Sequence, residues 1–261
     1  LYINRGTTGA ITLRQPFGGM GKSALGPAIK AGGPNYVAQF MNFEETCLPR
    51  IGTLQGEHAL LRIALEWRRK LLWGKLAPHK ADLEKTIRAI KSYLYHSEQE
   101  FGQAKDYFHL RGQDNIHRYL PLGTITIRLH AEDNLFEVLA RLAATRIAGN
   151  IPVISIPTGL NNDATAFLNT MEGCQIVGKA IVRRQSDEEL IACMTIVQRI
   201  RYAAPDRVPA TVLAAAAKKG FYIARAPVLM EGRIEMLHYC QNQSISDTYH
   251  RYGNLGDRSK L

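Results

Sequence analysis

The chain has 261 residues, 46% hydrophobic and 21% charged, which excludes a disordered or fibrous chain and suits one large or two modest domains with a real core. Its net charge of +10 raises nucleic acid or an anionic membrane as partners, and no apolar run approaches the ~20 residues of a membrane span. Cys47, Cys174, Cys193 and Cys240 lie far apart, without C-x-x-C or zinc spacing, so reduced and partly buried thiols, and no metal, are expected.

Residues 1–45 read as short strands and glycine-rich loops, with "LYIN" and "AITL" β-like and "NYVAQFMNF" a last strand. The opening "LYINRG" has neither an initiator Met nor a signal pattern, so the chain is expected to be a C-terminal piece of a longer protein. Its first residues are then expected to be displaced, or paired with another copy, for want of upstream strands.

"QPFGGMGKSALGP" ends like a phosphate-binding loop. The template G-x-x-x-x-G-K-[ST] needs glycine five positions before Gly21, where Pro16 stands with no N–H to donate, so that reading fails. A dinucleotide template, G-x-G-x-x-G/A, does match at Gly19, Gly21 and Ala24, with Glu44 about twenty residues on. The helix it requires is blocked by Gly26, Pro27, Gly32, Gly33 and Pro34.

Pro49, Gly52 and Gly56 mark a boundary, and from His58 to about Leu110 the pattern is helical. Leu61, Ala64, Leu65, Leu71 and Leu72 recur at helical spacing, with Trp67 and Trp73 close by. Pro78 breaks the run, and a second helix sets Leu83, Ile87, Ile90 and Leu94 on one face. Between Arg62 and Lys91, nine basic residues stand against Glu66, Asp82 and Glu84, net +6. A basic, tryptophan-bearing helix of this kind fits a membrane surface or a neighbouring domain, and no nucleic-acid signature accompanies it.

From Gln113 the organisation is α/β. "LGTITIRLH" is a strand, "DNLFEVLARLAATRIAGN" a helix with Asp133 as N-cap and Gly149 past its end, and "IPVISIP" a strand buried on both faces. "GKAIVRR" is another strand. "SDEELIACMTIVQRIRYAAP" reads as one helix, opened by a Ser186–Glu189 capping box and stopped before Pro205. Strand and helix alternating in this way imply right-handed crossovers and a largely parallel sheet. The last twenty residues show neither period and read as a flexible tail, though Tyr249, His250, Arg251 and Tyr252 are an unusual set for one.

"LYINRGTTGAI…RQPFGGMGKSALGPAIKAGGPNYV" resembles the end of the L-glutamate γ-semialdehyde dehydrogenase domain of the proline utilization A family, and "SISDTYHRYGNLG" resembles the C-terminal motif of its longer forms. The resemblance implies four parts. Residues 1–48 are the end of a catalytic aldehyde dehydrogenase domain, 49–112 a helical linker, 113–240 a noncatalytic Rossmann-like aldehyde-dehydrogenase-superfamily domain, and 241–261 a sealing tail.

It implies that Thr8, Gly9 and Ala10 anchor the aldehyde's carboxylate through backbone N–H groups and that Phe17 packs on its stem, the alternative for Phe17 being a core aromatic. It implies that Tyr249, His250, Arg251, Tyr252 and Gly253 cover an internal passage between two active sites. The catalytic cysteine and glutamate lie upstream in the family, so no catalytic residue is expected here. Cys174 in "EGCQ" lacks the nucleophile's setting and is expected to be buried and structural. Ile156 stands where the family has a ribose-binding lysine, and the nicotinamide-placing glycine turn is missing, so no cofactor is expected on this piece. NAD and FAD belong to the implied parent, an enzyme of the bacterial cytoplasm, at the inner membrane in some settings. Its implied partners are the upstream domains of the same chain, with a homo-oligomer left open. The rival reading is a nucleotide-, membrane- or nucleic-acid-binding module.

Overall fold

The computed structural model describes the chain except residues 8, 20–22, 24–25, 28, 195–198 and 251–261. A two-residue strand, β1 (Tyr2–Ile3), is followed by irregular chain and a 3-10 turn at Val37–Phe40, then by helices α1 (Ala59–Leu72) and α2 (Lys80–His96). Strands β2 (Lys105–Asp106) and β3 (Gln113–Pro121) lead into the α/β region. There β4 (Thr124–Arg128), α3 (Leu135–Ile147), β5 (Ile151–Pro157), α4 (Asp163–Leu168), α5 (Met171–Val177) and β6 (Ile181–Gln185) follow in turn. The chain continues through α6 (Asp187–Cys193), β7 (Arg199–Arg201), α7 (Ala210–Lys219), β8 (Ile223–Ala224), α8 (Gly232–Glu235) and β9 (Cys240–Thr248).

Two sheets result. The larger is wholly parallel, in the order β6-β5-β4-β7-β8, so the chain winds outward one way from β4 and then the other. This is the doubly wound arrangement, with its topological switch point between β4 and β7. The second sheet has the order β1-β9-β3-β2 and joins the two ends of the chain. Its spine is a nine-residue antiparallel ladder running from Gln113↔Thr248 to Pro121↔Cys240.

One apolar core packs α1, α2 and α3 against Ile125, Ile127, Ile154 and Ile156 of the parallel sheet, and a second gathers Leu190, Ile200, Val212 and Ile223. Helix α3 starts on a capping box in which Asn134 accepts from the Glu137 N–H at 2.9 Å, and it ends before Gly149 at φ +76°, where a side chain would be strained.

Several local expectations are corrected. Asn134, and not Asp133, caps α3, because Asp133 turns inward to meet Arg141. The "SDEEL…" segment keeps its Ser186–Glu189 box but is helical only to Cys193, and Arg199–Arg201 form an inner strand instead. Its pattern misled because arginines occupy β7 and are satisfied by carbonyls and buried partners rather than by water. "AITL" is a turn, with Leu13 at φ +59° and its N–H bonded to the Gly32 carbonyl at 2.6 Å, and the Val37–Phe40 stretch is a 3-10 turn rather than a strand.

On α1 the buried stripe is Leu60, Ala64 and Trp67, while Leu65, Leu72 and Trp73 face solvent. The second helix matches its expected face, with Leu83, Ile87, Ile90 and Leu94 all buried. The first residues are not displaced, since β1 lies parallel to β9 of the same chain (Tyr2↔Ser246). The supposed tail is ordered through β9. Its buried positions are Cys240, Asn242, Ser244 and Ser246, so the two-residue period is present but polar. A hydrophobic pattern search is blind to it.

Candidate functional site

The glycine-rich segment folds back on itself through a bridge in which Phe17 and Ala31 exchange hydrogen bonds (3.1 and 2.7 Å). Gly32, at φ +74°, lies so close to Thr12 that an added Cβ would sit 3.2 Å from its Cα, so the fold-back requires glycine there. The bridge holds Phe17, 57% exposed, in the wall of a cavity of about 910 Å³. The cavity lies between this segment and the chain running from Tyr222 to His238. Tyr36, Phe40 and Phe43 line one side, and Tyr222, Arg225 and His238 the other. Such a volume and aromatic lining suit a small organic ligand or an apolar stem.

Of the residues implied to hold the aldehyde's carboxylate, Gly9 adopts φ +90° and Ala10 is exposed, and neither lines this cavity. Thr8 lies outside the described residues, as do Gly21 and Ala24 of the dinucleotide template. In the tail motif, the Tyr249 and His250 N–H groups both donate to the Gly112 carbonyl (3.1 and 3.2 Å), and the Tyr249 hydroxyl accepts from the Gly112 N–H. Gly112 is at φ +87°, with the His250 Cβ 3.0 Å from where its own Cβ would stand. Arg251, Tyr252 and Gly253 lie outside the described residues.

Sequence reasoning missed the polar seam that ties these two regions together. Arg14 donates twice to the Gln113 side-chain amide oxygen Oε1 (2.9 and 2.5 Å), and the Gln113 amide nitrogen donates to the Thr248 hydroxyl. Ser246 donates to Asn115 (3.0 Å) and accepts from Arg5. The glycine segment, β3 and β9 are thus joined by groups that would be costly to leave unpaired. A period-2 search for polar residues along 240–248 would have exposed half of it.

The switch point between β4 and β7 is where a doubly wound sheet takes a nucleotide. Here it is filled by charged side chains. Arg141, fully buried, pairs with Asp133 and donates to the carbonyls of Arg128 (2.9 Å) and Arg201 (3.2 Å). Arg207 closes the same region, bonding Asp133 at 2.8 Å and Glu137 at 2.7 Å. Glu132, Asp133 and Glu137 therefore gather at the N-terminus of α3. A pyrophosphate needs bare N–H groups there, not carboxylates.

Below the switch point, Arg201 and Glu235, both with no exposure, pair at 2.9 Å, and the Tyr239 hydroxyl donates to the same carboxylate oxygen at 2.7 Å. The basic helices are partly neutralised, because Lys70 pairs with Glu66 (2.7 Å) and Glu172 (3.0 Å). Trp73 is 67% exposed, with Arg69 and Lys75 each 5.7 Å from its ring. No helix of the described residues is long and apolar enough to cross a membrane.

Cys174 is exposed, which corrects the expectation of a buried thiol. It sits in the short α5, whose packing is made by Gly173 and Ile176. Cys240 is the buried one, and burial pushes its thiol up to about 12.

The architecture is that of a doubly wound α/β domain, and comparison with known proteins places it further. No family model matches the chain. It is 32% identical over 160 residues to the bifunctional protein PutA of Rhizobium meliloti, covering 61% of this chain and 12% of that protein. It is 54% identical over 46 residues to the 1-pyrroline-5-carboxylate dehydrogenase of Bacillus cereus (strain B4264), 18% of this chain and 8% of that enzyme. The solved structure of proline utilization A from Corynebacterium freiburgense superposes with a TM-score of 0.62 at 28% identity, over 96% of this chain and 20% of that one. That of Bdellovibrio bacteriovorus shares the fold, with a TM-score of 0.51 at 16% identity over 64% of this chain and 19% of that one. The fold is shared with these proline utilization A structures. More particularly, the chain is homologous to proline utilization A, of which it spans a fifth or less.

Proposed function

We propose that this chain is part of a bifunctional enzyme of proline catabolism and that its α/β domain is noncatalytic. The parent oxidises proline with FAD, then oxidises L-glutamate γ-semialdehyde to glutamate with NAD⁺ and water. The observation that carries the reading is the 32% identity to a bifunctional PutA across 61% of the chain. The noncatalytic role draws support from the switch point, where Arg141, Arg207 and three carboxylates stand where a dinucleotide would have to lie. The residues present do not fit a bound NAD⁺, whose task in the parent is to accept the hydride.

In this reading the glycine segment serves the aldehyde end of the parent's site. Thr8, Gly9 and Ala10 hold the semialdehyde's carboxylate by main-chain N–H groups, and Phe17 covers its aliphatic stem. Tyr249, His250, Arg251, Tyr252 and Gly253 close the passage along which the intermediate travels, with the upstream catalytic domains as their partners. The antiparallel β3–β9 ladder supports this, since it delivers Tyr249 and His250 to one place, against Gly112.

The test is calorimetry with NAD⁺ on the 261-residue chain, with semialdehyde oxidation assayed on the same sample and on the whole protein. The whole protein turns over, and the chain alone neither binds nor turns over. Saturable binding by the chain overturns the noncatalytic reading, and an inactive whole protein overturns the enzymatic one. Exposed Leu72 and Trp73 beside Arg69 and Lys75 favour a second reading, peripheral contact with an anionic membrane. Co-sedimentation with anionic vesicles that weakens with salt would support it.

A further inference from the structure

Two buried cations in this chain carry no ion pair to a carboxylate among the described residues, and both serve the same loop. Lys30 is 7% exposed, and its ammonium donates to the carbonyls of Gly18 (2.5 Å) and Gly19 (3.2 Å). Arg199, on β7 and 3% exposed, donates to the Pro27 carbonyl at 3.0 Å and to the His238 carbonyl at 2.8 Å, with the Tyr222 ring 5.2 Å away. Burial lowers both groups, Arg199 to about 10.

A buried charge without a counter-charge is expensive, and carbonyl dipoles are what offset it here. The carbonyls come from the two ends of one stretch, Gly18 and Gly19 at its start and Pro27 at its close. Both ends lie in the wall of the aromatic cavity, with Phe17 next to the first. At the first end the chain has almost no freedom left. The Lys30 stem lies beside Gly18, whose added Cβ would meet it at 3.5 Å, and Ala31, next in sequence, holds Phe17 through the bridge. At the second end the holding group belongs to the parallel sheet, more than 170 residues away in sequence.

We propose that Lys30 and Arg199 are positioning residues that hold the glycine segment at Gly18–Gly19 and at Pro27, so that the noncatalytic α/β domain helps fix those positions beside the aldehyde site. Neither touches substrate; each acts through the loop's carbonyls and so through Phe17. The parallel sheet thereby has a task in the dehydrogenase reaction that does not require it to bind a cofactor.

This rests on the reading of the parent as a semialdehyde dehydrogenase, and the experiment separates the two. Wild-type whole protein is assayed first, and absence of aldehyde oxidation sinks that reading itself. With activity present, Arg199→Met and Lys30→Met each raise KM for the semialdehyde on the order of tenfold with kcat little changed. That is the mark of weakened substrate binding with the reacting atoms still in place. Lys30→Arg restores most of the loss, because a guanidinium can still reach both carbonyls. The double Met variant falls short of the product of the single effects, because the two act on one loop. Lys218→Met, on the exposed side of α7, serves as the control and leaves KM unchanged. An unchanged KM in a folded Lys30→Met or Arg199→Met protein overturns the proposal, as does an equal rise in the control. If Arg199→Met fails to fold, Lys30→Met and its arginine rescue decide alone.

Discussion

Replacing Glu235 by Gln tests the buried centre of the fold. Glu235 has no exposure, and its carboxylate accepts from Arg201 at 2.9 Å, the Tyr239 hydroxyl at 2.7 Å and the Leu229 N–H at 3.0 Å. Glutamine keeps the shape but removes the charge, leaving an unpaired guanidinium in the core. Breaking a buried pair from one side costs about 3–5 kcal/mol, a large part of the ~5–15 kcal/mol that holds a domain together. Urea unfolding of the 261-residue chain, followed by far-ultraviolet circular dichroism, reads this as a lower midpoint at unchanged slope. The double variant Arg201→Met/Glu235→Leu leaves no bare charge and is less destabilised than Glu235→Gln.

A loss below ~1 kcal/mol, or a double variant as weak as the sum of its parts, refutes the assignment of the stability to charge pairing. The acid limb gives a second reading. Burial works against ionisation of Glu235, but the Arg201 guanidinium overrides it and holds the carboxyl below its usual 4.5. The pair's contribution is therefore complete above about pH 4.5 and is lost as pH falls through the lowered value.

His117 gives an independent acid prediction. It is 1% exposed, lies edge-on to Tyr119 at 5.0 Å, and neither ring nitrogen has a hydrogen-bond partner among the described residues. Burial holds it below its usual 6.5, so the chain loses stability as pH drops below that point. His117→Phe should flatten this slope and raise the urea midpoint by the equivalent of about 1–2 kcal/mol; an unchanged slope counts against the burial argument. Gly232→Ala places a Cβ 2.7 Å from the Ser92 carbonyl oxygen, where α8 crosses α2, and should cost about 1–3 kcal/mol by thermal melting. Trp67→Ala should cost about 3–5 kcal/mol, since the ring is fully buried and edge-on to Phe167, whereas Trp73→Ala stays within about 0.5 kcal/mol. Equal effects in the two tryptophan variants would contradict the observed orientation of α1.

Elements whose burial is apolar were legible from the residues alone. "IPVISIP" is a strand covered on both faces because all its buried side chains but that of Ser155 are apolar, and α2 shows its face because Leu83, Ile87, Ile90 and Leu94 recur at helical spacing. The Ser186–Glu189 box and Gly149 are local devices, complete within a few residues, and they stand where expected. Reading failed where polar groups are buried. Strand β9 hides serine and asparagine, β7 hides arginine, and Asp133 leaves its capping position for a partner eight residues on. For β9 and β7 the partners lie far along the chain, and Asp133 is bound by Arg207, 74 residues on, as well as by Arg141, so local pattern does not reveal the reason.

The candidate site divides in the same way. The glycine motif and its family resemblance were plain in the sequence, because glycine's conformational freedom is a property of the residue itself. That Phe17 faces Tyr222 and His238 across a cavity, or that Arg199 holds Pro27, depends on contacts between segments about 170 to 220 residues apart. Local chemistry determined the elements with an apolar face and the caps complete within a few residues. Only the tertiary structure decided which charges are paired, because a buried charge takes its meaning from what surrounds it in space.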